Sequence, residues 1–217
     1  MSDLFKRTAK YYFRQGIKLF SYMSLGVLAV AVMWTVTLLG EGDDWSRKLF
    51  LMLLEFFEFI MPYAAFMFSL YAATLNDGIV LSMGARRKDI FIGNLIKQGT
   101  YALCNALGYL LLALPVWEQG RIKHVLFVIA MSLAAGASGY FFGYKVDKYN
   151  NAVAAVVAIV YMLLYVLIRY SFVIIDVGFS AYAFENNVVI YALGALLIFA
   201  GMEVLIYRAN KYSSVVT

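Results

Sequence analysis

Apolar positions in this chain gather into six long runs that carry few charges and are separated by short polar stretches. A helix needs roughly 20 mostly apolar residues to cross ~30 Å of hydrocarbon. Segments at about Leu19–Leu39, Leu49–Leu75, Leu95–Pro115, Val125–Tyr144, Ala152–Ile175 and Val188–Tyr207 meet that length. The pattern predicts an all-α polytopic membrane protein with six transmembrane helices. Most connections are shorter than about a dozen residues, and no repeat or low-complexity tract interrupts the chain. Residues 1–217 therefore read as a single transmembrane domain.

Two polar stretches have patterns of their own. Residues 1–18 set Leu4, Phe5, Tyr12, Phe13 and Ile17 among Lys6, Arg7, Lys10, Arg14 and Lys18. That mixture predicts an amphipathic interfacial helix against anionic headgroups; the plainer reading is a basic flank of the first span. No small-residue cleavage site follows, so the first span reads as retained and Met1 as part of the mature chain. The second stretch, residues 76–94, joins spans two and three. Asn76, Asp77 and Gly78 are suited to end one helix and cap another, and Ile79, Val80, Leu81 and Met83 give the new helix an apolar face. Gly84 then breaks it, Arg86, Arg87 and Lys88 follow, and Asp89 caps the third span. A helix that short is stable only when docked to something.

Composition agrees with lipid as the solvent. The chain is 64% hydrophobic and 14% charged, with a mean hydropathy of +0.78, which leaves too little polar surface for a soluble globule. One cysteine and one histidine exclude a disulfide framework and supply no metal cluster. Cys104 reads as a small packing residue and His124 as an interfacial side chain. An intramembrane enzyme would need a metal cluster, or a nucleophile with its base, and those parts are missing.

The basic residues are distributed by topology, so the net charge of +5 does not point to nucleic acid. With the N-terminus in the cytoplasm, the inside segments hold Lys6, Arg7, Lys10, Arg14, Lys18, Arg86, Arg87, Lys88, Lys97, Lys145, Lys148, Arg208 and Lys211, thirteen of the eighteen Lys and Arg residues. The outside holds most of the acids, among them Glu41, Asp43, Asp44, Glu118, Asp176 and Glu185. Both termini are expected in the cytoplasm.

Few polar residues lie within the spans. Glu55 and Glu58 share one face of span two and are either part of a substrate path or set in the outer headgroups. Pro62 lies one turn further on, where it is expected to bend the helix. Arg169 is expected to snorkel outward toward Asp176, and Glu203 to reach the inner surface near Arg208. Span four is rich in small residues, with Gly139 and Gly143 four apart, which suits close helix packing inside the chain or between subunits.

The run Ser82-Met83-Gly84-Ala85-Arg86-Arg87-Lys88, followed by Phe91, Gly93 and Asn94, resembles the coupling-helix region of ABC-2 type permeases of bacterial ATP-binding-cassette exporters. The resemblance implies a permease subunit in the plasma membrane, paired with a second permease subunit and with a cytoplasmic ATPase that binds ATP and Mg²⁺. It also implies that the ATPase docks on Ile79, Val80, Leu81, Ser82, Met83, Gly84, Arg86, Arg87 and Lys88. The chain has no phosphate-cradling GxxxxGK[ST] sequence, so it is not itself the ATPase. The scarcity of buried charge suits export of an amphipathic or hydrophobic substrate. The alternative is a non-transporting immunity or regulatory subunit that binds a peptide or another membrane protein.

Overall fold

Long helices make up nearly all of the computed structural model, which describes residues 3–39, 44–82, 84–117, 121–146 and 180–212 together with positions 156, 159, 160 and 163. The helices are α1 (Asp3–Leu38), α2 (Trp45–Ser82), α3 (Arg87–Ala113), α4 (Arg121–Val146) and α5 (Ser180–Tyr212), with a 3₁₀ turn at Leu114–Val116 after α3. All five are long and apolar enough to cross a membrane, and no strand occurs among the described residues. The span expected over Ala152–Ile175 lies outside the described residues except at those four positions, as do Arg169 and Asp176.

Two helices run further than their apolar segments predict. α1 continues without a break from Asp3, so residues 3–18 extend the first span and do not form a separate interfacial helix. At about 1.5 Å per residue it is ~54 Å long, well beyond the ~30 Å of hydrocarbon. Tertiary packing accounts for the continuity. Thr8, Tyr12, Gly16 and Leu19 recur at helical spacing on one face and are buried, whereas the basic residues of this stretch point away. Gly16 lies against the Lys97 carbonyl and Thr100 of α3, and Gly93 of α3 has the Tyr12 ring where a Cβ would stand.

The second overrun is in α2. Its apolar run is expected to end near Leu75, yet the helix continues through Asn76, Asp77 and Gly78 to Ser82. The break expected at Asn76–Gly78 does not occur. One glycine costs a helix only about 1 kcal/mol, and burial of Val80 beside Tyr12, Ala85 and Ile90 outweighs it.

The core is built around two parallel pairs. α4 lies along α2: Gly139 meets the Phe66 carbonyl and Gly143 the Leu70 carbonyl at distances no side chain would allow. The small-residue surface of span four is thus used inside the chain, where it lets two backbones touch. α1 lies along α3 through Tyr12, Gly93 and Gly16. Phe57, Met61, Phe66, Tyr101, Tyr109 and Val128 fill the space between the pairs. α5 packs on α4 through Ala130, Ala134, Ala192 and Ala195. Its remaining surface and that of α1 carry exposed Leu, Ile and Val, as lipid-facing helices do.

Candidate functional site

The reversal between α2 and α3 is closed by local chemistry. Gly84 has φ +86°, the left-handed conformation that ends helices. Its N–H donates to the Leu81 carbonyl at 2.9 Å, and the Ala85 N–H donates to the Val80 carbonyl at 3.3 Å. This is a Schellman ending, and the accompanying apolar contact is made by buried Val80 and Ala85. α3 then starts from Arg86. Asp89, at the third helical position, accepts from the Arg86 backbone N–H at 3.3 Å, from Nε at 3.1 Å and from Nη2 at 3.3 Å. Asp89 therefore acts through the acidic half of a capping box, with Arg86 as the N-cap residue. The hydrogen bond first, and the opposite charge second, raise the Arg86 guanidinium above its ordinary value.

The residues proposed to meet an ATPase divide into two groups. Ile79 and Leu81 are half-exposed, Ser82, Gly84, Arg86 and Lys88 are exposed, and Arg87 is half-buried at the start of α3. Val80 faces the other way, packed under Tyr12 and 3% exposed. Met83 lies outside the described residues. The turn therefore presents Ile79 and Leu81 within a basic rim, on a base fixed to α1.

Glu55 and Glu58 are separated by the fold. Glu55 is exposed, whereas Glu58 is buried where α2, α3 and α4 meet, at the end of the bundle away from the turn. Its Oε1 accepts from the Tyr109 hydroxyl at 2.8 Å and faces His124 Nδ1 at 2.9 Å. Two facing lone pairs would repel, so one proton lies between Nδ1 and Oε1. The His124 side chain is thus held against the bundle and is only 14% exposed. Sequence gave no signal for this trio, whose members are 51 and 66 residues apart.

A second polar group sits nearer the turn. Lys97, counted among the basic residues of the inner side, is buried in α3 together with Asn94 and Gln98. Glu203, expected to reach the inner surface near Arg208, is turned into the bundle. Its Oε1 is buried, and the side chain lies beside Gln98. Asn105 donates to Ser132 Oγ at 3.0 Å, and the Tyr101 hydroxyl donates to the Met61 carbonyl at 3.0 Å. Ionisable side chains at such depth are costly in lipid and mark function more often than packing.

Among the described residues no three His, Cys, Asp or Glu side chains are grouped to hold a metal. Comparison with known proteins finds no matching family model, no matching curated protein and no matching solved structure.

Proposed function

We propose that the chain is the membrane-spanning permease subunit of an ABC exporter, driven by a separate ATPase that docks on the α2–α3 turn. The observation that carries this reading is the overrun of α2. The helix continues past the end of its expected span at Leu75 to Ser82, reverses at Gly84, and exposes Ile79 and Leu81 beside Arg86 and Lys88. Exposed apolar side chains within a charged rim suit a protein groove better than open solvent. The proposed orientation puts the turn and both termini in the cytoplasm of a bacterial cell, where ATP is available. ATP and Mg²⁺ belong to the partner ATPase. A second permease subunit completes the membrane core, and closure of the ATPases alternates its two arrangements. The substrate proposed is amphipathic or hydrophobic and moves outward.

Co-purification with a cytoplasmic ABC ATPase from the same cell, together with stimulated ATP hydrolysis, tests the reading. Leu81→Asp should abolish both, because a carboxylate would have to enter an apolar contact. Normal complex formation by that variant would favour a non-transporting immunity or regulatory subunit.

A further inference from the structure

Of the five spans, α1 has the smallest share of its apolar stretch buried. One side of it packs on α3 through Tyr12 and Gly16. The opposite side is exposed along the whole helix, where Arg7, Arg14, Lys18, Leu25, Val32 and Val36 follow one another at steps of seven and four residues. This face changes character once. Lys18 and Leu38 stand about 30 Å apart along the axis, the thickness of the hydrocarbon, and no charged residue falls between them. Lys18 therefore marks the hydrocarbon boundary, and Arg14, one turn further out, stands at the level of the headgroup phosphates. Four residues apart on one face, their Cβ atoms are separated by about 6 Å, so both cations can reach one phosphate. Beyond Asp3, α1 holds no acidic residue to neutralise them.

Charge decides what covers this face. A second copy of the chain, related by a two-fold axis along the membrane normal, would set Arg14 and Lys18 against the same two residues of the copy, where like charges repel. A zwitterionic lipid brings a cation of its own with its phosphate. An anionic phospholipid matches both halves of the face. Its phosphate meets the two cations, and its acyl chain runs along exposed Leu25 and Leu28, which lie within about 15 Å of Lys18, the depth of one leaflet. We propose that α1 carries a binding site for one anionic phospholipid on the side away from α3, with the phosphate held by Arg14 and Lys18. The site belongs to the chain alone and is independent of ATPase docking.

The experiment uses the full chain in phosphatidylcholine vesicles that contain a minority of phosphatidylglycerol, after Cys104→Ser removes the native thiol. A bimane fluorophore attached through Leu25→Cys reports contact with a nitroxide carried on an acyl chain of either lipid. The same label attached through Leu107→Cys, an exposed position on α3, is the reference. Each basic side chain at a lipid surface is worth about fivefold in partition, so phosphatidylglycerol should be preferred at Leu25 by roughly 25-fold and at Leu107 by less than about twofold. Arg14→Gln combined with Lys18→Gln should bring Leu25 down to the Leu107 value; both positions are exposed, so the fold is kept. Equal preference at the two labels before those substitutions would overturn the site, as would a preference that survives them. Shielding of the Leu25 label from both lipids would place a protein, a second copy included, on this face and would overturn the proposal as well. So would loss of the preference on addition of inorganic phosphate, which would show recognition of a free anion in place of a lipid.

Discussion

Gly139 of α4 lies against the carbonyl oxygen of Phe66 in α2, so closely that a Cβ on the glycine would overlap that oxygen. The obstacle is backbone and cannot rotate aside. Gly139→Ala therefore has to push two helices apart, and overpacking of this kind ordinarily costs about 1–3 kcal/mol. Gly194 of α5 is the internal control, because nothing lies within 4 Å of a Cβ built there. Gly194→Ala should be neutral or mildly stabilising through helix propensity. Thermal unfolding in detergent checks the pair, and equal Tm values for the two variants would show that α2 and α4 do not touch at Gly139.

The contrast between these glycines shows how far the sequence could be read. Gly139 and Gly143 were legible as a small-residue surface, and Gly84 as a helix ending, because both signals are local. Five of the six expected spans fall on described helices for the same reason, since hydrophobic length is a property of one segment. The burial of Lys97 was not legible because it depends on α1 lying against α3, where Gly16 meets the Lys97 carbonyl. The break expected at Asn76–Gly78 failed because propensity is a weak preference that contacts with a distant helix override. Nothing in the run around Val80 announces that Tyr12, far upstream, will cover it.

Glu58 and Glu55 should behave as unlike residues although they are one turn apart. Removing the Glu58 carboxylate takes the acceptor from the Tyr109 hydroxyl proton and this partner from His124 Nδ1. Each buried polar group left unpaired costs about 1–3 kcal/mol, so Glu58→Ala is expected to lose about 3 kcal/mol or more. Glu58→Gln keeps an acceptor oxygen and should lose roughly 1 kcal/mol. Exposed Glu55→Ala should change stability by less than ~0.5 kcal/mol. Denaturant titration separates these outcomes. Equal, small effects at both positions would show that the Glu58 carboxylate is not held by Tyr109 and His124.

The orientation proposed for the bundle rests on charge and on which helix ends share a side. α2 runs from Trp45 to Ser82 and α3 returns from Arg87, so Asp44 and Lys88 sit at opposite ends of the bundle. Both positions are exposed. The basic residues expected inside include Lys97, which is buried in α3 and no longer counts as a loop charge. The twelve that remain still outnumber the five on the other side, and short loops rich in Lys and Arg stay in the cytoplasm. In a Cys104→Ser background, a cysteine at Asp44 should react with an impermeant thiol reagent added to intact cells. A cysteine at Lys88 should react only after the membrane is opened. The reverse pattern would put the α2–α3 turn outside, beyond reach of any cytoplasmic ATPase. It would therefore remove the permease reading together with the orientation, while leaving the helix packing around Tyr12, Gly93 and Gly139 untouched.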